Sequence, residues 1–282
     1  RITRSPVAPY RWVSGWELEQ DSDFYPDQYL NKLAHCGMNG IWVAGLLNRL
    51  IASRTLPELG PKEHQVERLN KLIARARQYG IKVFLFCGEP RHLPKDHPVF
   101  TAHPEIRGAL GQCLCVSTPL VKQYIREMMR ELMTAAPHLG GIINIYNGER
   151  YTTCVFTEKT ASTCPRCRNR SQAEVLAEDL NCFLEGIRQA SSTAKLLAWG
   201  YHGNTSTDFR PLMSRLNPEI AWLGNFEHDG EKIVNGKKVG VHEYSLSAIG
   251  PSDAFAKVAR SMVDAGRTVY AKLQIGNSYE LA

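Results

Sequence analysis

The feature that most constrains this chain is a recurring unit: an amphipathic helical stretch, a glycine, then a short β-branched and aromatic run. Its first copy is Tyr29-Leu30-Asn31-Lys32-Leu33-Ala34-His35-Cys36-Gly37, followed by Gly40-Ile41-Trp42-Val43-Ala44. A second runs from Val66, Leu69, Ile73 and Ala76 to Gly80 and then Ile81-Lys82-Val83-Phe84-Leu85-Phe86. A third opens at Thr118-Pro119, read as an N-cap and first-turn pair, and leads to Gly140-Gly141-Ile142-Ile143-Asn144-Ile145. Pro26 near a helix start and Gly37 just past a helix end follow the usual proline-first, glycine-last asymmetry. Ser171-Gln172-Ala173-Glu174 reads as a capping box opening a further helix, which hands over to Lys195-Leu196-Leu197-Ala198-Trp199. The last unit runs from Ser252 through Gly266 to Thr268-Val269-Tyr270-Ala271.

A period of 3.6 giving way to a short strand each time predicts strict β–α alternation. With right-handed crossovers, that alternation builds a parallel sheet covered by helices. Seven strands are expected, near 10–16, 41–46, 82–87, 141–146, 195–200, 219–224 and 268–274, with a hairpin around Asn235-Gly236 inserted after the sixth. No glycine-rich phosphate loop follows the first strand, which argues against a nucleotide-binding open sheet. The expected fold is therefore α/β, a (β/α)₈ TIM barrel lacking its last strand and helix. Residues 1–282 are expected to form one catalytic barrel domain, truncated at the C-terminus, with the full-length protein expected to continue past Ala282.

At 282 residues the chain matches the roughly 250 of a typical barrel. No stretch reaches the ~20 apolar residues of a membrane helix, so no membrane partner is expected. The net charge of +6 is spread in short clusters at 166–170 and 232–238. Nucleic-acid binding calls for one concentrated basic face, and it is not expected here. Eight cysteines in a chain of this size are too dilute for a disulfide scaffold and favour a reducing compartment such as the cytoplasm. Arg1 opens the chain without a methionine or leader, which leaves the compartment open. Cys36, Cys87 and Cys182 lie in apolar patterns and are read as buried thiols. Oligomeric state is not set by the sequence.

In a barrel the chemistry gathers where strands end and βα loops begin. Those positions here carry Trp16-Glu17-Leu18-Glu19, Glu89 and Arg91, Asn147 and Glu149-Arg150, Trp199 with Tyr201 and His202, Asn225 and Glu227, and Gln274, Asn277 and Glu280. Aromatic rings suit the C–H faces of a pyranose, while amides, carboxylates and imidazole suit its hydroxyls. Breaking a glycosidic bond needs a protonated carboxyl at the leaving oxygen and a second group to stabilise an oxocarbenium-like transition state. Glu149 directly follows an apolar strand and is the candidate acid; Glu280 is the candidate second carboxylate. Glu89, Arg91, Asn147, Trp199, Tyr201, His202, Asn225, Glu227, Gln274 and Asn277 are candidate substrate contacts. For Glu89, Glu227 and Glu280 individually a structural role is the stronger reading, and Trp199 and Trp222 read equally as barrel core.

Three stretches, Asp23-Phe24-Tyr25-Pro26-Asp27-Gln28-Tyr29-Leu30 with Gly37-Met38-Asn39-Gly40-Ile41-Trp42, Gly88-Glu89-Pro90-Arg91, and Asn147-Gly148-Glu149, carry a resemblance. Together they resemble bacterial barrel glycoside hydrolases related to the family 20 hexosaminidases. The resemblance implies a glycosidase whose acid after strand four is Glu149. Such enzymes pair that Glu with an Asp that positions the substrate's 2-acetamido group; this chain has Gly148 there. The chain is also similar to retaining barrel glycosidases, which carry an acid on strand four and a nucleophile on strand seven, here Glu149 and Glu280. Neither likeness implies a cofactor for catalysis.

Cys154, Cys164 and Cys167 form C-x₉-C-P-R-C in the loop after strand four, and Cys113-Leu114-Cys115 lies in the preceding βα segment. Three readings stand side by side: structural zinc with a fourth thiolate from Cys113 or Cys115, free thiols, or a disulfide. The functional alternatives to a hydrolase are a catalytically silent carbohydrate-binding barrel and a zinc-stabilised nucleic-acid binder.

Overall fold

The structure is a computed structural model that describes residues 1–8, 17–60, 65–146, 151–200, 210–241 and 250–273. Seven strands form one all-parallel sheet: β1 (Ile2–Thr3), β2 (Gly40–Ala44), β3 (Lys82–Cys87), β4 (Gly141–Tyr146), β5 (Lys195–Gly200), β6 (Ala221–Asn225) and β9 (Val269–Lys272). Strands β7 (Gly230–Val234) and β8 (Lys237–Val241) make a separate antiparallel hairpin between β6 and the final helix. The main helices are α1 (Asp27–His35), α2 (Val66–Gln78), α3 (Pro119–Ala135), α4 (Gln172–Arg188) and α5 (Asp253–Asp264).

Strand order decides the architecture. The order β1-β2-β3-β4-β5-β6-β9 follows the chain without a reversal. Since parallel crossovers share one hand, every helix lands on the same face, and a sheet covered on one face curls over the other. The two faces carry separate apolar clusters. Ile41, Val43, Val83, Leu85, Ile142, Leu196 and Trp222 face outward and pack under the helices against Leu69, Ile125, Leu132, Leu180 and Phe183. The alternate residues Trp42, Phe84, Phe86, Ile143, Ile145, Leu197, Trp199 and Leu223 face inward and fill the concave side. The chain is thus a partial (β/α)₈ barrel, with seven parallel strands among the described residues. Leu69, Leu132, Leu180 and Phe183 are fully buried, and each such side chain contributes on the order of 1.5–3 kcal/mol.

Local signals explain the element ends. Gly37 and Gly80 adopt φ of 72° and 69° just past α1 and α2, the left-handed geometry that lets the chain leave a helix and enter a strand. Ser171 and Glu174 close the expected capping box on α4. In the hairpin, Asn235 and Gly236 have φ of 50° and 75°, so both central residues of the turn match the right-handed strand twist.

Several expectations change. The first strand among the described residues is Ile2–Thr3, which the sequence reading did not anticipate, and the expected strand at 10–16 lies outside the described residues. A two-residue strand is too short for periodicity to reveal. Thr118 does precede α3, but its hydroxyl donates to the Cys115 carbonyl at 2.7 Å instead of accepting from the helix. Cys87 and Cys182 are buried, whereas Cys36 is exposed because it forms the C-terminal cap of α1, beyond the apolar stripe.

Two buried carboxyls respond to pH in opposite directions. Glu127 of α3 accepts from Arg54 N at 2.6 Å, Thr55 N at 2.9 Å and Ser53 Oγ at 3.1 Å, fixing the loop after β2. Burial opposes its ionisation, but the hydrogen bonds from Thr55, Arg54 and Ser53 together outweigh it and hold the carboxyl below its ordinary value. Asp179 of α4 is fully buried, and neither oxygen has a hydrogen-bond partner among the described residues. Burial first, then the charges of Glu178 and Glu89, push it well above the carboxylate range.

The signs follow from linkage. A depressed carboxyl such as Glu127 contributes stability above its unfolded pKa of about 4.3, lost as pH falls through the folded value. Glu127→Gln is expected to cost about 1–3 kcal/mol at pH 7, with the deficit narrowing on acidification in denaturant titrations. A raised carboxyl such as Asp179 favours the fold fully below about pH 3.9, and that contribution falls as pH rises through the folded value. Urea midpoints for Asp179→Asn should decline less between pH 4 and 8 than those of the unaltered chain.

Candidate active site

Because the seven strands are parallel, their C-terminal ends share one rim, and the inward residues nearest that rim define its floor. Trp42 on β2 meets Phe86 on β3 with ring centroids 5.1 Å apart, and Phe86 meets Trp199 on β5 at 5.8 Å. This aromatic row is bordered by polar groups. Trp199 donates from Nε1 to Asn225 Oδ1 at 2.8 Å, and Lys272 Nζ lies 4.9 Å from the Trp199 ring centroid. Across the rim, the Arg4 guanidinium stacks over Trp42 at 4.8 Å. Arg4 Nε donates to Glu17 Oε1 at 2.7 Å, while Glu17 Oε2 accepts from Ala44 N at 3.2 Å. Such flat rings flanked by fixed charges and amides suit a ligand with apolar faces and many hydroxyls.

The sequence-predicted residues distribute unevenly. Trp199 and Asn225 are brought together at the rim. Glu89 is buried and accepts from Arg91 N at 3.2 Å. Burial raises its pKa, opposed by the Arg91 charge and by N–H groups of Arg91 and Leu47. Its backbone carbonyl accepts from Asn144 Nδ2 at 3.2 Å, and Arg91 Nη2 donates to Asn48 Oδ1 at 3.1 Å. Glu89 and Arg91 thus brace the loops after β2 and β3. Glu227 is half-buried and accepts from Gly250 N at 3.4 Å, closing the base of the hairpin insertion. Asn147, Glu149, Tyr201, His202, Gln274, Asn277 and Glu280 lie outside the described residues.

Sequence reading missed Arg4, Trp42 and Lys272, and it placed Glu17 among the strand-end residues without its partners Arg4 and the Ala44 N–H. Trp42 was available from period-two alternation, which sets it opposite Ile41 and Val43. Lys272 shares that parity with Tyr270. Arg4 had no such signal, since β1 holds only two residues.

The cysteines converge behind the rim. The Sγ atoms of Cys115, Cys154, Cys164 and Cys167 all lie within 4.8 Å of one another, and all four residues are buried. Cys115 Sγ is 3.7 Å from both Cys164 Sγ and Cys167 Sγ. Hydrogen bonding with Cys154 is the main influence pulling Cys115 down to about 6. Cys113 points elsewhere, toward the Thr153 carbonyl at 3.7 Å. Of the two thiols in Cys113-Leu114-Cys115, Cys115 joins the group. Among the described residues no helix is long and apolar enough to cross a membrane.

No protein-family model matches the chain, and no curated protein matches it. Solved structures do. Dispersin B superposes with a TM-score of 0.50 at 10% identity, over 95% of this chain and 72% of that one. A broad-specificity GH5-4 endoglucanase from an uncultured bacterium gives 0.50 at 11% identity, over 86% and 65%. A GH20 exo-β-N-acetylglucosaminidase from Vibrio harveyi gives 0.45 at 14% identity over 79% of this chain, which spans only 37% of that enzyme. Seven parallel strands in chain order among the described residues, and the superpositions on dispersin B and the GH5-4 endoglucanase, identify the fold as a partial (β/α)₈ barrel, the fold of those two structures.

Proposed function

We propose that the chain is the catalytic barrel of a glycoside hydrolase, acting on the O-glycosyl bond of a carbohydrate with Glu149 as general acid. The observation that carries this reading is the rim itself: the Trp42, Phe86 and Trp199 row bordered by Arg4, Asn225 and Lys272, with Glu149 only three residues past Tyr146, the last residue of β4. The fold shared with an endoglucanase supports it. In the proposed reaction Glu149 donates its proton to the leaving-group oxygen as the anomeric carbon gains positive character. Glu280, beyond β9, is the proposed second carboxylate; a retaining pair requires a carboxyl separation of about 5–5.5 Å.

Asn147, Trp199, Tyr201, His202, Asn225, Gln274 and Asn277 are the proposed substrate contacts. Glu89, Arg91 and Glu227 act by bracing the loops around them. No cofactor takes part in bond cleavage. Gly148, standing where family 20 enzymes have the Asp that orients an acetamido group, favours the two-carboxylate route over acetamido assistance. Hexosaminides and simple β-glycosides are the two substrate sets to compare.

Glu149→Gln should keep its circular dichroism spectrum yet lose roughly 10²–10⁴ in kcat on alkyl glycosides. Aryl glycosides with acidic leaving groups should suffer less, and the alkaline limb of the pH profile should disappear. Unchanged turnover would remove Glu149 from the mechanism. Glycan binding by the unaltered chain without sugar release across both substrate sets would favour the non-catalytic barrel. Trp199→Ala should raise KM about tenfold or more with a smaller change in kcat, as expected when a stacking surface worth about 1–3 kcal/mol is removed.

A further inference from the structure

We propose that Cys115, Cys154, Cys164 and Cys167 bind one zinc(II) as a closed tetrathiolate that staples the loop after β3 to the loop after β4. The sequence spacing left the state of these cysteines and the identity of the fourth ligand undecided. Their three-dimensional arrangement points to both.

The first argument is geometric. A tetrahedral zinc with Zn–S bonds of about 2.3 Å has sulfur–sulfur edges of about 3.8 Å. Cys115 lies 3.7 Å from Cys164 and from Cys167, and no pair in the group is more than 4.8 Å apart. A disulfide needs about 2.05 Å. Two loops distant in sequence, one carrying Cys115 and the other Cys154, Cys164 and Cys167, have converged on one point at the spacing of a metal's coordination sphere.

The second argument is chemical. Donors are aimed at the sulfurs, as suits thiolates rather than thiols: Ala109 N to Cys154 Sγ at 3.3 Å and Arg166 Nε to Cys115 Sγ at 3.4 Å, with Ser117 Oγ 3.4 Å from Cys167 Sγ. Four thiolates around a divalent ion leave two negative charges, and Arg166 lies against them. Arg170 donates to Ser117 Oγ at 2.5 Å and pairs with Glu178 Oε2 at 2.7 Å, so it orients the Ser117 hydroxyl beside Cys167 while its charge is met by that carboxylate. The soft, all-sulfur donor set selects zinc over magnesium or calcium, and four protein ligands leave no open position for a substrate or water. The role is therefore structural.

The third argument is steric. Gly108 approaches the group so closely that a Cβ there would sit 2.5 Å from Cys154 Sγ and 3.1 Å from Cys115 Cβ. The backbone at 108–109 is wrapped around the sulfur as a ligand-holding turn would be. Cys154 is five residues after Glu149 in sequence, so the staple fixes the same loop that carries the proposed acid. The metal assignment itself does not depend on the glycosidase reading.

The decisive experiment measures metal, not activity. The untagged chain, purified without added metal or chelator, should contain one zinc per molecule by plasma mass spectrometry. After chelation and denaturation all eight cysteines should titrate as free thiols. Exchange into cobalt(II) should give the visible bands and sulfur-to-metal charge transfer of a tetrahedral tetrathiolate. Chelation should lower the melting temperature by roughly 5–10 °C. Cys113→Ala and Cys36→Ser should retain full metal content, while Cys115→Ser should weaken binding at least 100-fold. The proposal is overturned by a chain that neither retains zinc nor gives the cobalt spectrum, by a disulfide within the group, or by iron as the resident metal. Equal loss of metal in Cys113→Ala and Cys115→Ser would overturn the ligand set. If the metal is present but no glycoside is cleaved, the zinc site stands and the hydrolase reading falls.

Discussion

Everything in this molecule depends on consecutive parallel strands pairing with one another. A parallel ladder cannot be closed by a tight turn, so each strand must be followed by a crossover that returns to the start of the next. Because the strands pair in chain order, all those crossovers fall on one side. That side is made dry by helices, and the other must be filled by the strands' own inward side chains. Phe84, Ile143, Leu197 and Leu223 do so deep in the sheet. Within the ladder a polar side chain such as Asn144 is fully buried and donates to the Glu89 carbonyl; the charged groups Arg4, Glu17 and Lys272 gather at the rim.

The rim is held by contacts that are individually modest but mutually constraining. Glu17 would be costly to bury alone; it is held by Arg4 and by a β2 backbone N–H, and Arg4 is in turn held against Trp42. The Trp199 indole is fixed by Asn225 and covered by Lys272. Aromatic faces are thereby presented in set orientations before any ligand arrives, which lowers the entropic cost of binding. The buried sulfur group lies where the loop after β3 meets the loop after β4, two long connections whose α-helices, Val99–Ala102 and Glu158–Ser162, are only four and five residues long.

Much of the fold could be read from the chain, and the reasons are specific. Lys82–Cys87, Gly141–Tyr146 and Lys195–Gly200 are legible at their boundaries because a short apolar run follows each amphipathic helix, announced by Gly80 before the first and by Gly140 and Gly141 at the second. The Asn235-Gly236 hairpin declared itself through two residues that tolerate positive φ. The opening strand escaped because two residues carry no period, and its placement depends on pairing with Gly40 and Ile41 across 38 positions of chain, as in Ile2 with Gly40. The site was legible as a list of strand-end residues but not as a set of partners. Charge type alone did not show that Glu89 turns into its own loops, or that Cys115 and not Cys113 completes the sulfur group. Both depend on side-chain direction, which sequence spacing does not encode.

The β7–β8 hairpin pairs only with itself and belongs to neither face of the barrel sheet. It follows β6, whose C-terminal end lies at the rim, and precedes α5 in the chain. Its apolar residues Ile233, Val234 and Val239 are exposed, so the core borrows little from them. Substitutions at those three positions should therefore leave the packing of the barrel wall intact. In evolutionary terms the hairpin is a segment whose exposed positions are free to drift without putting the scaffold at risk.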